Sequence, residues 1–275
     1  MPANEIAARL TARAEGGELI IVSGAGTGLS AKCAEAGGVD AIVIYNSGRF
    51  RMAGRGSLAG LMPYADANQV VLEMAREIVT VVESVPVVGG VCGTDPFRDM
   101  DLLLGELQAN GISGVQNFPT VGLIDGEFRR ALEATGMSYS AEVDMVRRAS
   151  VRGLFTIPYV FNPEEARAMV EAGADVIVAH LGLTTGGMVG ADDRRTVRSV
   201  APTLQAICDS VDEAGPFRPV LCHGGPISGP DDLTAAISLV PRLNGFVGAS
   251  SIERLATETA IVDRVRQFRR IVRSG

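Results

Sequence analysis

The chain contains two histidines, and each lies at the end of a short apolar run of residues. His180 ends the run DVIVAH, and His223 ends the run PVLCH. Because histidine titrates near neutral pH, it is the side chain used most often as a general acid or base. The alternative is a buried histidine that only bonds to the backbone. We expect at least one of the two to move a proton in catalysis.

Two carboxylates occupy comparable positions. Asp95 in CGTDPF follows the third apolar run, and Glu142 in SYSAEVDM opens the helix predicted after the fourth loop. Both are candidate catalytic residues. Together with Asp66 of the second loop they are also candidate ligands of one Mg²⁺ ion, which takes one or two carboxylates plus oxygens of water and substrate. Alternatively, Asp95 caps the next helix and Glu142 complements its dipole.

Lys32 is the only lysine among the 25 basic residues of the chain. Arginine cannot lose its proton and is a poor substitute for a compact ammonium group, so this single lysine near the first loop is a candidate catalytic residue. An ordinary surface lysine on a helix is the alternative. A Schiff-base aldolase is not favoured, because no predicted strand ends in lysine.

Glycines and serines follow the last two apolar runs. Gly224 and Gly225 come after the seventh run, and Ser250 and Ser251 come after the eighth. In barrels of alternating strands and helices, these two loops often form a phosphate site, because free backbone N–H groups and hydroxyls donate to anionic oxygens. The alternative is that the glycines only form tight turns. We expect an anion site here.

Other residues at or near the ends of the runs are predicted to orient a substrate. Neutral polar groups at such positions form hydrogen bonds that fix a ligand. An arginine can pair with a carboxylate or phosphate through two parallel bonds, and the candidate for this role is Arg49 of the second loop. The remaining predicted substrate-binding residues are Gly24, Gly26, Asn46, Ser47, Gln116, Asn117 and Tyr159.

Eight apolar runs must position these residues. Each is mainly apolar without polar alternation, which is typical of a strand buried on both faces of a parallel sheet, and most intervening segments have helical periodicity. This pattern predicts an α/β fold, a (β/α)8 TIM barrel of one domain over residues 1–275, with its active site at the carboxyl ends of the strands. The runs are Glu18–Gly26, Asp40–Gly48, Pro86–Asp95, Ser113–Pro119, Leu154–Asn162, Asp175–Gly182, Pro219–Gly225 and Gly245–Ser251.

Three connections after predicted strands are long, and long loops of compact domains are usually lids or binding loops. They follow the second, fourth and sixth runs and end near Asn68, Ser140 and Asp193. The fourth loop contains a predicted short helix at Glu127–Ala134. A last helix is predicted at Thr257–Val272, whose apolar face would pack either on the barrel or on another copy of the chain.

Composition limits the class of protein. The net charge of −7 and the aromatic content of 5% argue against a nucleic-acid-binding protein. The sequence has no recognisable signal peptide and no apolar stretch long enough to span a membrane, so a cytoplasmic location without a membrane partner is expected. Since barrels of slightly apolar composition commonly associate symmetrically, we expect a homo-oligomer.

The chain also carries several long motifs. They include GAGTGLSAKCAEAGG at 24–38, GVQNFPTVGLIDG at 114–126, AHLGLTTGG at 179–187, CHGGPI at 222–227 and GASSIERLATE at 248–258. These motifs resemble those of the phosphoenolpyruvate hydrolase-like TIM-barrel family, and the resemblance covers nearly the whole chain. More distantly, the chain is similar to the phosphoenolpyruvate mutase and isocitrate lyase superfamily. The resemblance implies a barrel enzyme with a small anionic substrate and, from mutase-type members, a Mg²⁺ ion.

These observations favour an enzyme that acts on a small anionic 2-oxo acid or an enol phosphate or phosphonate, such as phosphoenolpyruvate or phosphonopyruvate. The reaction would be hydrolysis or the lysis of a C–C or C–P bond. The phosphoryl or phosphono group would lie on the loops after the last two strands, and Arg49 would bind the carboxylate. His180 or His223 would move the proton with help from Asp95.

Two other functions stay open. An FMN-dependent oxidoreductase of the nitronate monooxygenase type has a similar AGADVIVAH segment followed by late glycine loops, and this reading predicts a yellow protein. A non-catalytic barrel that senses a ligand or binds a protein predicts tight metabolite binding without turnover.

Overall fold

The structure is a computed structural model that describes residues 1–192 and 194–271, so the loop residue Asp193 and the predicted helix end Val272 lie outside the described residues. The described residues form nine parallel strands. These are β1 Ile20–Gly24, β2 Ala41–Ile44, β3 Val87–Val91, β4 Gly114–Asn117, β5 Phe155–Thr156, β6 Tyr159–Val160, β7 Ile177–His180, β8 Val220–His223 and β9 Gly245–Gly248. They make one sheet in the order β5-β4-β3-β2-β1-β9-β8-β7-β6. All eight predicted strands are confirmed.

Eleven α-helices connect these strands within the described residues. They are α1 Ala3–Glu15, α2 Gly28–Ala36, α3 Asn46–Met52, α4 Ala67–Ile78, α5 Met100–Ala109, α6 Gly126–Ala134, α7 Tyr139–Val151, α8 Pro163–Glu171, α9 Val197–Ala214, α10 Pro230–Leu239 and α11 Leu255–Arg269. Two 3₁₀ turns span Ser57–Leu61 and Val121–Leu123, and a π-helical turn spans Ser250–Arg254. The short helix predicted in the fourth loop is confirmed as α6. None of the described helices combines the length and the apolar composition that crossing a bilayer requires.

The fifth predicted strand is divided into β5 and β6 at Pro158, because proline has no N–H to donate to a ladder. β5 pairs with β4, and β6 pairs with β7. Ile157 and Pro158, which lie between β5 and β6, each keep one backbone hydrogen bond to a neighbouring strand. Ile157 donates its N–H to the Val115 carbonyl, and the Pro158 carbonyl accepts the N–H of Val178. The segment from β5 to β6 therefore closes a (β/α)8 TIM barrel as the fifth of its eight strand segments.

Two near copies of one sequence, EAGGVDAIVIYN and EAGADVIVAHLG, use an aspartate in the same way. Asp40 precedes β2 and accepts the N–H of Ile21 in β1 at 2.8 Å. Asp175 precedes β7 and accepts the N–H of Thr156 in β5 at 2.8 Å. Each aspartate thereby joins the start of its strand to the strand segment before it in the chain. The repeated sequence encodes a repeated strand junction.

Of the two placements predicted for the last helix, packing on the barrel is wrong. No described residue of α11 is buried, and Ile261, Val265 and Phe268 are 60%, 54% and 65% exposed. The buried residues of this part of the chain, Ser250, Glu253 and Arg254, lie in the π-helical turn before α11. α11 itself contributes partly exposed residues such as Glu258, which accepts the N–H of Met188 at 3.0 Å.

Candidate active site

The carboxyl ends of the strands surround a cavity of about 30 Å³. A cavity of this size holds only a few water molecules. Residues of the loops at 57–58 and 182–184 complete its wall. The lining residues are Tyr45, Ser47, Arg51, Ser57, Leu58, Phe118, Leu123, Tyr159, His180, Gly182, Leu183, Thr184, His223, Ala249 and Ser250.

The two histidines lie side by side in this wall. β7 and β8 pair in a register that sets His180 opposite His223, and the ring centroids are 4.7 Å apart. Nδ1 of His180 accepts the N–H of Gly182 at 3.0 Å, so its proton is on Nε2. Nδ1 of His223 lies 2.6 Å from the carbonyl oxygen of Val247 and must donate, so its Nε2 carries a lone pair. The pair offers one donor and one acceptor.

Burial keeps both imidazoles neutral. Loss of hydration lowers the pKa of His223 to about 4. Burial, reinforced by His223 and Arg195, holds the pKa of His180 well below its ordinary value. Because the charged form of a histidine is disfavoured away from water, neither ring carries a charge at pH 7. His180 is therefore suited to donate a hydrogen bond, and His223 is suited to accept a proton.

Tyr159 contacts both histidines and carries an unsatisfied hydroxyl. Its ring centroid is 4.7 Å from that of His180 and 5.0 Å from that of His223. The residue is 1% exposed, and its hydroxyl has no hydrogen-bond partner among the described residues. A buried hydroxyl without a partner is costly. This oxygen is therefore a position where a bound ligand would complete the hydrogen bonding.

Arg51 is the one charged side chain among the described residues that line the cavity. It pairs with Glu253 through Nη2 and through Nε at 2.9 Å, and both side chains are 1% exposed. Burial alone would lower the pKa of Arg51, but Tyr45 and Glu253 together keep it above its ordinary value. The pairing with Glu253 uses Nη2 and Nε and does not involve Nη1.

Glu253 holds Arg51 against the first loop. Its Oε1 accepts the N–H of Gly26 at 2.6 Å and the hydroxyl of Ser30 at 2.5 Å. The residue lies in the π-helical turn after β9, and such turns are frequent at functional sites. Because α3, the first loop and this turn all meet at one carboxylate, the guanidinium is fixed in the absence of a ligand.

Gly26→Ala is expected to lower the free energy of unfolding by about 1–3 kcal/mol. A Cβ atom at this position would lie 2.2 Å from the carbonyl oxygen of Gly48, so the first loop must move away from α3 and Glu253. Chemical denaturation measures the loss. Gly105→Ala is the matched control, because its Cβ would meet nothing closer than 3.6 Å. Equal stability of the two variants would contradict the prediction.

Several residues predicted from the sequence line the cavity. They are Ser47, Tyr159, His180, His223 and Ser250. The two serines join the wall to the loop after α3, because the Ser47 hydroxyl donates to the Ser57 carbonyl at 2.8 Å and the Ser250 and Ser57 hydroxyl oxygens are 3.4 Å apart.

Other predicted residues support the wall from behind. Gly24 allows close packing, since a Cβ atom there would lie 3.0 Å from the Cβ atom of Ala249. Asn46 donates its amide to the Gly60 carbonyl at 2.8 Å and accepts the N–H of Ser47 at 2.7 Å. Gly24 and Asn46 therefore help to hold the loops that follow β1 and β2.

Gly224 and Gly225 pack the loop after β8 against the loop after β7. Both have positive φ angles, of 72° and 57°. A Cβ atom at Gly224 would lie 2.1 Å from the Gly182 carbonyl oxygen, and the N–H of Gly225 donates to that same oxygen at 2.9 Å. One N–H of the predicted anion cradle is therefore already used. The Ser251 hydroxyl is buried and has no partner among the described residues.

Gln116 and Asn117 replace backbone pairing where Pro158 divides the fifth strand segment. Gln116 donates its amide to the Ile157 carbonyl at 3.0 Å. Asn117 accepts the N–H of Tyr159 at 2.7 Å and donates to its carbonyl at 3.2 Å. Neither residue lines the cavity. Asn117 instead acts indirectly, because it positions Tyr159.

Asn117→Leu is expected to lower the free energy of unfolding by about 1–3 kcal/mol, because the buried N–H of Tyr159 loses its acceptor and Glu142 loses one donor. Thermal or chemical denaturation measures the change. Asn110→Leu removes only an exposed amide bond to the Glu106 carbonyl and is the control. A loss at Asn117 no greater than at Asn110 would show that the side-chain pairing is dispensable.

The predicted metal ligands do not fit Mg²⁺. Asp95 accepts the side-chain amide of Asn68 and the N–H of Phe97, each at 2.9 Å. Burial raises the pKa of Glu142 to about 7, and N–H and O–H groups surround both of its oxygens where a cation would need free lone pairs. The donors to Glu142 are Asn117 Nδ2 and Thr120 Oγ1, each at 2.7 Å, and Val121 N–H at 2.8 Å. Among the described residues, no group of three or more His, Cys, Asp or Glu could hold a metal.

Lys32, Arg49 and Asp66 lie outside the cavity wall. Lys32 is exposed on α2. Arg49 pairs with Glu77 at 2.6 Å, and the two side chains are 37% and 42% exposed. Asp66 caps α4. The structure brings the histidines, Tyr159 and two serines together, whereas these three residues serve helix surfaces and a helix start.

Sequence analysis did not single out Arg51. The available signal was helical spacing, because α3 begins at Asn46 and residues four apart share one helix face. Ser47 and Arg51 are such a pair, whereas Arg49 lies on another side. The sequence alone predicts a loop where α3 lies, and a loop has no regular faces on which to compare residues.

A model of a protein family described as phosphoenolpyruvate hydrolase-like matches residues 5–271. The ToMV susceptible protein tm-1 of Solanum lycopersicum is 57% identical over 255 residues, which make up 93% of this chain and 34% of the tomato protein. The chain therefore spans about a third of the length of that relative.

Two solved structures share the fold. Phosphoenolpyruvate phosphomutase from Streptomyces platensis subsp. rosaceus has a TM-score of 0.60 and 18% identity, covering 95% of this chain and 86% of that one. A phosphonopyruvate hydrolase, crystallised in complex with oxalate and Mg²⁺, has a TM-score of 0.58 and 20% identity, covering 97% of this chain and 88% of that one. At these identities the likeness concerns the fold alone.

Proposed function

The chain belongs to the phosphoenolpyruvate hydrolase-like family, and from that premise we propose that it is a hydrolase or lyase for a small anionic 2-oxo acid or enol phosphate or phosphonate. The observation that carries the proposal is the pair of neutral imidazoles with opposite hydrogen-bonding roles, beside a fixed guanidinium. Barrels of the same fold named as a phosphomutase and a phosphonopyruvate hydrolase support the class of reaction.

Arg51 and Tyr159 are proposed to bind the substrate. Nη1 of Arg51 donates to the carboxylate, and the unsatisfied hydroxyl of Tyr159 donates to a second oxygen. Because both side chains are buried and held in place before binding, little orientation is left to lose when the ligand enters. The oxo group then lies toward the two histidines.

In hydrolysis of a C–C bond next to the oxo group, Nε2 of His223 takes a proton from water while the water oxygen attacks the carbonyl carbon. The π electrons of the carbonyl move to its oxygen, which accepts a hydrogen bond from Nε2–H of His180. When the carbonyl re-forms, the C–C bond breaks, and the leaving carbon, stabilised by a neighbouring carbonyl group, takes the electron pair and the proton held by His223.

In lysis of a 4-hydroxy-2-oxo acid, the same nitrogen takes the proton of the hydroxyl, whose oxygen forms a new C=O bond. The C–C bond breaks, and its electron pair goes to the enolate of the oxo acid, whose oxygen accepts the hydrogen bond from His180. For an enol phosphate or phosphonate, the water deprotonated by His223 attacks phosphorus, and the electron pair of the broken P–O or P–C bond leaves with the enolate.

This reaction uses no Mg²⁺, because the oxygens of Asp95 and Glu142 are already occupied by N–H and O–H donors. The family model supports the hydrolase or lyase class rather than the flavin alternative.

The test is a panel of 2-oxo acids, enol phosphates and phosphonopyruvate, with products followed by NMR at pH 7.5. Turnover of at least one member is expected, and a metal chelator is expected to leave its rate unchanged. Tight binding of a member without turnover would contradict the proposal. That result would favour a ligand-sensing barrel, which stays the second candidate because the tomato relative is named for its virus phenotype and not for a reaction.

A further inference from the structure

We infer that the site takes a singly charged carboxylate substrate and discriminates against a phosphoryl or phosphono group. The inference rests on the proposed function and narrows it. The bond broken would then be a carbon–carbon bond, since the substrate carries no phosphorus.

The charges in the cavity wall support a single negative charge. Arg51 provides one positive charge, and Glu253 already shares it through two hydrogen bonds. The imidazoles of His180 and His223 are neutral at pH 7. Arg195 lies beside the lining residue Gly182 without lining the cavity itself, and its charge contributes to the lowered pKa of His180. A second ionised group would therefore enter a wall whose described lining residues include no second cationic side chain, which is costly.

The loop predicted to cradle a phosphate is packed against its neighbour instead. The Gly182 carbonyl oxygen accepts the N–H of Gly225 at 2.9 Å and fills the space beside Gly224. A carbonyl oxygen at this position repels an anion. One N–H of the predicted phosphate cradle is thus engaged within the protein at this end of the barrel.

The remaining wall suits a hydrocarbon group. Leu58, Phe118, Leu123 and Leu183 line the cavity together with neutral hydroxyls. Apolar side chains offer no hydrogen bonds to three phosphonate oxygens, whereas they gain from contact with a methyl or larger alkyl group. The part of the substrate beyond its oxo acid is therefore expected to be uncharged.

The experiment compares two acids of the same shape by isothermal titration calorimetry at pH 7.5. Phosphonopyruvate carries a phosphonate, and tert-butylpyruvate replaces it with an uncharged tert-butyl group. We expect tert-butylpyruvate to bind at least about tenfold more tightly, because only the phosphonate brings excess charge into the buried site.

A second measurement adds a positive charge to the wall. Leu58 lines the cavity and is 47% exposed, so it tolerates a long side chain. Leu58→Gln, of similar size and without charge, is the control. Leu58→Arg is expected to bind phosphonopyruvate at least about tenfold more tightly than Leu58→Gln does, whereas the two variants should weaken tert-butylpyruvate binding alike, because both lose the apolar contact of Leu58.

Phosphonopyruvate binding as tight as that of tert-butylpyruvate to the natural chain would overturn the inference and leave the proposed function standing. Binding of neither acid would remove both. Tight tert-butylpyruvate binding without turnover of any acid would remove the proposed function alone.

Discussion

Replacing His223 with asparagine is expected to lower kcat by about 10²–10⁴-fold with little change in KM. Asparagine keeps an amide donor in place of Nδ1–H for the Val247 carbonyl, so the local fold is preserved. It has no basic nitrogen in place of Nε2, so only the proton-accepting function is removed. Steady-state kinetics on the best substrate of the panel measures the effect.

The pH profile distinguishes this base from an ordinary histidine. Burial lowers the pKa of His223 from 6.5 to about 4, and a base acts only when unprotonated. The rate kcat/KM is therefore expected to stay level down to about pH 5 and to fall as the pH drops through about 4. An inflection near 6.5 would contradict the assignment, provided that circular dichroism shows a folded protein throughout.

His180→Asn provides the comparison. Its amide oxygen can accept the N–H of Gly182 as Nδ1 does now, but it cannot reach the position of Nε2–H. Loss of one donor to a developing oxyanion costs about 10²–10³-fold in kcat, and the acid limb set by His223 should stay. If His223→Asn kept most of its activity while His180→Asn lost it, the roles of the two rings would be reversed.

Arg51→Met is expected to lower the free energy of unfolding by about 3–5 kcal/mol, because it leaves the carboxylate of Glu253 buried without its partner. Arg51→Met/Glu253→Gln is expected to recover most of that stability, since it removes the unpaired charge and the amide oxygen can still accept the Gly26 N–H and the Ser30 hydroxyl. The recovered protein should still fail to bind a carboxylate ligand. Denaturation and calorimetry on the two variants separate the role in folding from the role in binding.

The control is Arg49→Met. Arg49 and Glu77 form an ion pair with 37% and 42% of their side chains exposed, and such pairs contribute about 0–1 kcal/mol. Equal losses of stability at positions 49 and 51 would show that the buried Arg51 contributes no more to stability than the exposed Arg49. Restored ligand binding in the double variant would show that another group holds the anion.

The barrel could be predicted because its signals are local. Each strand is a short apolar run, and parallel strands of a barrel end on the same face, so His180 and His223 could be placed at one rim from order alone. What could not be predicted is which polar groups are used up by their neighbours. The carboxylate of Glu142 already accepts three hydrogen bonds, from Asn117, Thr120 and Val121. No sequence pattern indicates that its oxygens are occupied in this way.

A long-range ion pair explains why Arg51 could not be predicted. Glu253 is separated from Arg51 by 202 residues in the chain, and the turn that holds it was interpreted as part of a glycine and serine anion loop. Only the three-dimensional structure brings a carboxylate to the guanidinium. The prediction of Arg49 in place of Arg51 has the same origin, because the helix face that separates them depends on where α3 begins.

The division of the fifth strand segment at Pro158 has a consequence for how this barrel can diversify. In a backbone ladder, neighbouring strands are held about 4.8 Å apart. Beside Tyr159 the backbone is held instead by the side chains of Asn117 and Tyr139. The spacing next to the two imidazoles can therefore change with the residues at these two positions, which a backbone ladder does not allow.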